Sequence, residues 1–362
     1  MRVLVVNAGS SSLKLSVLEE DEVLTSTTVE RWDGADDLEP LRHFLGRAPD
    51  LDAVGHRVVH GGPRHRASAR IDDDLLVYLE SIADLAPLHN PRAVAAIRAV
   101  AGLLPRTPAV AAFDTSFHAT IPNEAATYAL PREWNHRYGL RRYGFHGLSH
   151  ASASRRAAAL VGRDLRELRM VTCHLGAGAS LCAVVDGRSV DTTMGFTPLA
   201  GLVMQTRVGS VDPGLVLWLL DHANVDSTTL GQVLEHQSGL KGLSGTSGDL
   251  RDVLAAREGG DGDARAAFDV YVHRLVREVG AMTASAGGLD VLVFTGGMGE
   301  HSPVLRSAAC RGLAHLGVAV DDAANQATSD ADVSGADARV RTVVVTAAED
   351  VEVGREVRRV LG

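Results

Sequence analysis

The first polar turn of the chain carries side chains that can surround phosphate oxygens. An apolar run at residues 3–6 precedes this turn and a second run starts at Leu13, which predicts a β-hairpin. The turn offers an amide, hydroxyl groups and one ammonium group, from Asn7, Ser10, Ser12 and Lys14. Together with backbone N–H groups freed by glycine, these groups favour a ligand with several negative charges. The alternative interpretation is an ordinary polar turn.

The same hairpin design, a strand followed by a turn and another strand, recurs in the middle of the chain. The pattern covers residues 169–185, with HLGAGAS at 174–180 as its turn. This turn contributes His174, Gly176 and Gly178, again beside backbone that is open to a ligand. Two hairpins of one design indicate two domains built on one plan, as an ancient duplication would leave them.

A third glycine cluster, TGGMGEHS at 295–302, follows a predicted strand and opens a helix. Its residues Gly297, Met298 and Gly299 would let the phosphates or the base of a nucleotide lie against bare backbone. This segment is therefore a candidate nucleotide site.

Two charged residues belong to predicted strands or their ends. Arg57 lies in the apolar strand 53–62, and Asp114 follows the strand 108–113. In open α/β sheets, ligands gather at the carboxyl ends of strands, so both side chains are candidates for a binding cleft. The alternatives are a buried arginine paired with an acid and a carboxylate that caps the next helix.

Two further residues are candidates for binding an anion. His146 stands just before an alanine-rich helix, where backbone N–H groups point outward, although a lone histidine is more commonly structural. Arg207 lies in the long loop 194–214, and loops of this length inside a compact domain tend to be functional.

Composition favours a globular chain with two domains, because 362 residues are too many for one ordinary core. The chain is 45% hydrophobic and 22% charged, without the run of about 18 apolar residues that spans a membrane. Its start is unlike a signal peptide, which predicts a cytoplasmic protein. The net charge of -9 argues against nucleic-acid binding. We therefore expect neither a nucleic-acid nor a membrane partner.

The sequence also excludes several classes of site. The cysteines Cys173, Cys182 and Cys310 lack zinc-site or disulfide-framework spacing and are expected to be reduced core residues. The motifs GxxxxGK[ST], GxGxxG, GxSxG and HExxH do not occur. Walker-type NTPases, dinucleotide-dependent dehydrogenases, α/β-hydrolases and zinc proteases therefore lose their usual support.

Outside these motifs, periodicity predicts a strand at 23–29 and helices at 36–47, 72–85, 91–104, Pro213–His222, 229–236, 268–286 and Glu349–Leu361. The segment 239–253 is expected to be rich in turns, and 323–338 to be a surface connection.

Nine segments, taken in order, resemble the acetate kinase family. They are NAGSSSLK (7–14), GHRVVHGG (55–62), PLHNP (87–91), FDTSFH (113–118), YGFHG (143–147), HLGAGAS (174–180), MGFTPLAGL with TRVGSVDP (194–213), SGDLRD (247–252) and GGMGE (296–300). This family of short-chain acyl kinases belongs to the superfamily of acetate and sugar kinases, Hsc70 and actin. The resemblance extends from residue 3 to about residue 356, and nine segments in one order leave little room for chance.

The resemblance implies an α/β fold with two duplicated actin-like (ribonuclease H-like) domains of βββαβαβα type that flank an active-site cleft. We expect an N-terminal domain at 1–117 plus 351–362 and a C-terminal nucleotide-binding domain at 118–350. The implied reaction is reversible phosphoryl transfer from ATP to acetate, or to another short-chain carboxylate, which yields ADP and the acyl phosphate. The implied cofactor is Mg²⁺, or Mn²⁺ in its place, and the implied assembly is a homodimer.

The resemblance also implies a role for each matching residue. The catalytic set is Asp114, Arg57, Arg207 and His146, of which His146 and Arg207 would stabilise the transition state. The acyl substrate would contact Arg57, Val59, Leu88, Phe145 and Pro198. Phosphate and nucleotide contacts would come from Lys14, Ser10, Ser12, His174, Gly176, Gly178, Asp249, Arg251, Gly297, Met298 and Gly299. The metal would be held through Asn7 and Glu349, together with Asp114.

Three positions depart from the family's usual pattern. Ala177 stands where an asparagine amide is usual, Gln205 replaces a glycine, and His301 replaces an asparagine. We hypothesise that Gln205 supplies the polar group that Ala177 lacks. Two alternative functions stay open: a propionate or broad short-chain acyl kinase, and a non-catalytic nucleotide-binding module. The retained charged residues argue against the module.

Overall fold

The computed structural model describes residues 1–9, 12–30, 32, 38–87 and 89–362, so the predicted site residues Ser10 and Leu88 lie outside the described residues. The chain divides into two compact units. Unit 1 consists of Met1–Ala119, Phe145–Ser152 and Ala348–Gly362, and unit 2 consists of Thr120–Gly144 and Ala153–Ala347. The functional domains at 1–117 plus 351–362 and at 118–350 stay a prediction.

Unit 1 is built on a six-stranded mixed sheet. Its strands are β1 (Arg2–Ala8), β2 (Ser12–Glu19), β3 (Glu22–Glu30), β4 (Ala53–Val58), β5 (Ala69–Arg70) and β6 (Ala109–Phe113). Across the sheet their order is β3-β2-β1-β4-β6-β5. Strands β1, β4 and β6 are parallel, whereas β2 pairs with β1, β3 with β2 and β5 with β6 in antiparallel fashion.

Unit 2 repeats this sheet. Its strands are β7 (Arg169–Leu175), β8 (Ala179–Val185), β9 (Arg188–Thr192), β10 (Val291–Thr295), β11 (Ala331–Asp332) and β12 (Arg341–Val344). Their order is β11-β12-β10-β7-β8-β9, which matches the first sheet strand for strand when taken from the opposite edge. The parallel and antiparallel pairings correspond as well. The predicted duplicated α/β fold is confirmed.

The helices complete both units. They are α1 (Glu39–Leu45), α2 (Asp73–Ser81), α3 (Asn90–Leu103), α4 (Asn123–Ala126), α5 (Arg132–Tyr138), α6 (Gly147–Leu160), α7 (Pro213–His222), α8 (Ser227–His236), α9 (Gly239–Ser244), α10 (Leu250–Glu258), α11 (Gly262–Ser285), α12 (Gly297–His301), α13 (Pro303–Gly312) and α14 (Glu349–Leu361). The segment 239–253, expected to be rich in turns, thus contains α9 and the start of α10. No helix among the described residues is long and apolar enough to cross a membrane.

Strand β1 is buried on both faces, as its continuous apolar run predicts. Leu4 and Val6 belong to one hydrophobic cluster, which includes Trp32 and residues of α3. Val3 and Val5 belong to the cluster on the other face, which includes residues of α14. Successive side chains of a strand point to opposite faces, so one short segment anchors helices on both sides of the sheet.

Helix α14 crosses β4 at a glycine. A β-carbon on Gly55 would lie 2.6 Å from Cγ1 of Val353 and 2.7 Å from Cγ2 of Val357. Only glycine permits this close approach without movement of the helix. As a result, α14 lies directly on the strand that carries Arg57.

Candidate active site

Arg57, near the carboxyl end of β4, is the centre of a charged cluster in unit 1. Its Nη2 donates to Oδ2 of Asp114 at 2.8 Å, and its Nε donates to Oδ1 of the same carboxylate at 3.1 Å. Its Nη1 lies 2.9 Å from Oε2 of Glu349 and 3.4 Å from Oδ1 of Asn7. Four residues from distant parts of the sequence therefore meet around one guanidinium group, and all four were predicted site residues.

The parallel strands create this convergence. Asn7 on β1 is the register partner of Arg57 on β4, and Asp114 directly follows β6, the next strand of the sheet. The carboxyl ends of parallel strands meet at one edge, where ligands gather in open α/β sheets. Asp114 binds Arg57 through both carboxylate oxygens, so the structure contains the buried arginine–acid pair that was the alternative interpretation, and a ligand-binding role for these two residues stays a prediction.

Burial controls the charges of this cluster, since the side chain of Arg57 is 16% exposed and that of Asp114 only 2%. Burial alone would lower the pKa of Arg57, but the carboxylates of Asp114 and Glu349 raise it above its ordinary value, so the guanidinium stays charged. Burial raises the pKa of Asp114, and the adjacent Arg57 opposes that effect. Removing one partner of such a cluster leaves uncompensated buried charge, which is costly.

The oxygen atoms around Arg57 are of the type that hard cations prefer. Asn7 supplies an amide oxygen, and Asp114 and Glu349 supply carboxylates. Among the described residues, no group of three or more acidic, histidine or cysteine side chains is arranged to hold a metal ion. The amide of Asn7 and the two carboxylates of Asp114 and Glu349 nevertheless suit Mg²⁺, which is usually bound by one or two carboxylates together with waters and substrate phosphates.

The first polar turn lies beside this cluster. Asn7 and Lys14 are directly opposite each other in the antiparallel register of β1 and β2, so their side chains lie on the same face. The turn between them is closed by a hydrogen bond from the backbone N–H of Gly9 to the carbonyl oxygen of Ser12 at 2.8 Å. Lys14 is exposed and can therefore reach a charged ligand.

The backbone holds His146 next to Asp114. The N–H of Gly147 donates to the carbonyl oxygen of Asp114 at 2.9 Å, and α6 begins at Gly147. His146 itself has a φ of 57°, a left-handed conformation that is uncommon for a residue with a β-carbon. Such strained residues cluster at functional sites.

Two of the predicted acyl-wall residues, Val59 and Phe145, share a histidine neighbour. Phe145 is 1% exposed, and its ring meets the ring of His60 edge-on, with the centroids 5.5 Å apart. Val59 is partly buried and directly precedes His60. The carbonyl oxygen of Phe145 also lies 2.9 Å from Nε2 of His118.

Arg207 lies in unit 2 and is mostly buried. Its Nη1 donates to the carbonyl oxygen of Pro198 at 3.4 Å, and its Nε lies 4.0 Å from Oε1 of Glu235. Burial lowers the pKa of Arg207, and Glu235 opposes that shift. A long, weak ion pair of this kind leaves much of the guanidinium's charge available for an anionic substrate.

Two of the glycine-rich segments are neighbours in unit 2. His174 on β7 and Thr295 on β10 are register partners. Gly296 directly follows β10 and has a φ of 78°. It lies close to β7, because a β-carbon on Gly296 would be 2.9 Å from the carbonyl oxygen of Leu175. The turn with Gly176 and Gly178 and the segment with Gly297, Met298 and Gly299 thus leave the same edge of the sheet. A β-carbon on Gly176 would lie 3.5 Å from Nε2 of His174, which places that ring over the turn.

Asp249 and Arg251 form a local pair. Asp249 caps α10 by accepting a hydrogen bond from the backbone N–H of Arg251 at 2.9 Å, and it also binds that residue's guanidinium at 2.6 Å. The side chain of Arg251 is 89% exposed. Capping alone explains Asp249, so a nucleotide contact by this pair stays a prediction.

The two departures Ala177 and Gln205 are in direct contact. The backbone N–H of Gln205 donates to the carbonyl oxygen of Ala177 at 3.3 Å. The side-chain amide of Gln205 makes no hydrogen bond within the described part of the chain and is partly exposed. The backbone of an amide-bearing residue thus contacts the turn that lacks an amide.

Sequence reasoning missed Arg306 of α13, which is fully buried. Its Nη1 donates to the carbonyl oxygens of Gly299 at 2.8 Å and Glu300 at 2.7 Å, and its Nε donates to Oδ1 of Asn325 at 2.8 Å. These bonds fix the end of the GGMGE segment. An arginine among the apolar positions of an amphipathic helix was the available signal.

Comparison with known proteins assigns the family. The pattern of the Acetokinase family matches residues 38–355. A curated relative, the acetate kinase of Trichormus variabilis, is 43% identical over 393 aligned positions that cover 97% of either chain. The crystal structure of the Porphyromonas gingivalis acetate kinase is 34% identical, with a TM-score of 0.92 and full coverage of both chains. A propionate kinase from Francisella tularensis is also 34% identical, with a TM-score of 0.92 over 99% of this chain and all of its own. The chain therefore belongs to the acetokinase family.

Proposed function

We propose that this protein reversibly transfers the γ-phosphoryl group of ATP to acetate in a single in-line step, which yields acetyl phosphate and ADP. The observation that carries the proposal is the buried cluster of Arg57, Asp114, Glu349 and Asn7 at the carboxyl edge of the unit 1 sheet. The family assignment supports it independently.

The chemistry needs positive charge rather than a general base. A carboxylate with an ordinary pKa near 4 is already ionised at neutral pH. Its oxygen forms the new bond to phosphorus while the bond to the leaving ADP oxygen breaks, and negative charge is spread over the three remaining phosphoryl oxygens. Arg57 and Arg207 would bind the carboxylate and the phosphoryl group, because the guanidinium fork matches both in a bidentate manner. His146 would donate a further hydrogen bond to the transferred group.

Asn7, Asp114 and Glu349 would hold Mg²⁺, or Mn²⁺, which has the same preference for oxygen ligands. When bound, the metal would neutralise charge on the nucleotide phosphates. Lys14, Ser12 and Ser10 would approach those phosphates from the first turn. His174, Gly176 and Gly178 would do so from the second, with Asp249, Arg251 and Gly297–Gly299 at the rest of the nucleotide.

Propionate is the second candidate substrate, because the propionate kinase and the acetate kinase compared above are equally similar to this chain. Val59, Leu88, Phe145 and Pro198 would enclose the acyl chain. One methylene group in an apolar pocket is worth only about 1–3 kcal/mol, so small movements of this wall decide the preference.

We also infer that two copies of the chain form a homodimer. Helix α7 exposes three large apolar side chains, Leu215 at 45%, Leu217 at 64% and Trp218 at 54%. Exposed apolar patches of this kind mark protein interaction sites. Sedimentation analysis should give a two-chain mass for the wild type and a one-chain mass for Leu217→Asp. A one-chain mass for the wild type would contradict the dimer.

The experiment that tests the proposed function is trapping of acyl phosphate with hydroxylamine, using Mg-ATP and acetate, propionate or butyrate in parallel. Dominant product from acetate supports the proposal as stated. Dominant product from propionate keeps the mechanism and changes the substrate. If ATP binds but no acid yields product, the non-catalytic module replaces the kinase.

A further inference from the structure

The chain that follows β4 is held by a buried asparagine outside the charged cluster. Oδ1 of Asn90 accepts a hydrogen bond from the backbone N–H of His60 at 3.1 Å, and Nδ2 of Asn90 donates to the carbonyl oxygen of His60 at 3.0 Å. Both residues are 0% exposed. Asn90 is the first residue of α3, so this pair of bonds ties the strand end to the start of a helix.

The side chain of His60 extends this connection. Its Nδ1 accepts a hydrogen bond from the backbone N–H of Gly62 at 2.8 Å, so the proton of the neutral ring is on Nε2. Burial lowers the pKa of His60 to about 4, and the ring stays neutral at working pH. The same ring meets Phe145 edge-on. Asn90 is thus linked through one residue to both Val59 and Phe145.

We propose that Asn90 is a positioning residue that sets acyl-chain selectivity by fixing the backbone at His60 and, through it, Val59 and the Phe145 ring. The inference rests on the proposed function, in which the side chains of Val59 and Phe145 line the pocket for the acyl group. The two bonds engage the N–H of the Val59–His60 peptide and the C=O of the His60–Gly61 peptide, so they hold the backbone on both sides of the His60 α-carbon. Without them, Val59 and the His60 ring gain freedom, and the pocket accepts a longer chain.

The test is steady-state kinetics of Asn90→Ala with acetate, propionate and butyrate. We expect the ratio of kcat/KM for propionate to that for acetate to rise about fivefold or more, within the range that one methylene group can contribute. The change should come mainly from the KM values of the acids, and the KM of ATP should stay within about twofold. Asn90→Ser, which removes less volume, should shift the ratio in the same direction but by a smaller factor. If Asn90→Ala does not fold, the ratio measured for Asn90→Ser is the test.

Leu41→Ala is the control, since Leu41 is a fully buried core residue of unit 1 on α1. It should lower stability and leave the chain-length ratio unchanged. If Asn90→Ala and Asn90→Ser also leave the ratio unchanged while the wild type is active, Asn90 is only structural and the inference fails. If the wild type produces no acyl phosphate from any acid, the proposed function fails and this inference fails with it.

Discussion

The backbone N–H of Gly147 donates to the carbonyl oxygen of Asp114 at 2.9 Å, and a β-carbon on Gly147 would lie only 2.1 Å from that oxygen. The start of α6 is therefore pressed against the residue that binds Arg57. This contact ties the position of His146 to that of Asp114. It requires glycine for steric reasons, since no side chain fits between the two backbones.

Gly147→Ala should therefore move Asp114 or His146 and lower kcat by about 100-fold, the effect expected of a displacement near 1 Å. The matched control is Gly280→Ala within α11, where a β-carbon would meet open space. That variant should keep its activity and gain stability, because alanine is the better helix former. Equal activity of the two variants would show that the Gly147 contact does not position the site.

Arg207→Ala should lower kcat by about 10²- to 10³-fold, because one preorganised donor to the transition state is lost. Arg207→Lys should recover little of this loss, since an ammonium group cannot reproduce the planar fork. Steady-state rates with acetate and Mg-ATP check both variants. Near-normal turnover of purified Arg207→Ala would remove Arg207 from the catalytic set.

Gln205→Gly should reduce activity far more than Gln326→Gly, a change at an exposed residue of unit 2. The glycine variant retains the backbone N–H that donates to Ala177 and removes the whole side chain, including its amide. If that amide replaces the one missing at Ala177, adding Ala177→Asn to Gln205→Gly should restore activity. An unaffected Gln205→Gly variant would end this hypothesis.

Much of this fold follows from local patterns that the sequence displays. The apolar run at 3–6, the two glycine-rich turns and the Pro213–His222 helix have their expected places, because periodicity and turn chemistry act over a few residues. The strands β5 and β11 were not predicted, because each has only two residues and is too short to show a hydrophobic periodicity. Helix α10 was missed although its capping residue Asp249 was in view, because SGDLRD was read as turn chemistry.

The site was predictable as a set of residues but not as an arrangement. Arg57 and Glu349 are far apart in the sequence, and only the crossing of α14 over Gly55 brings them within 2.9 Å. The hydrogen bonds of Arg306 and Asn90 could not be predicted from the sequence, because both side chains bind backbone groups that tertiary packing brings to them.

Stability should fall as the solution is acidified below about pH 6.5. Burial lowers the pKa of His56 to about 3 and that of His60 to about 4, whereas an unfolded histidine titrates near 6.5. The unfolded chain therefore binds more protons than the folded chain between these values, so this stabilisation is complete above pH 6.5 and is lost toward pH 3. Urea unfolding from pH 7 to pH 4 measures the effect. His56→Gln should show a shallower pH dependence than the wild type, and identical slopes would contradict the assignment.

The rate of acetyl phosphate formation by Arg57→Ala, with Arg169→Ala as the matched control, tests whether the Arg57 cluster carries out phosphoryl transfer. Arg169 forms an ion pair with Asp290 at the surface of unit 2, outside the proposed machinery. The wild type and Arg169→Ala should form acetyl phosphate from Mg-ATP and acetate at similar rates, and Arg57→Ala should be at least about 100-fold slower. A folded Arg57→Ala variant that turns over at a near-normal rate would show that the Arg57 cluster is not the catalytic site.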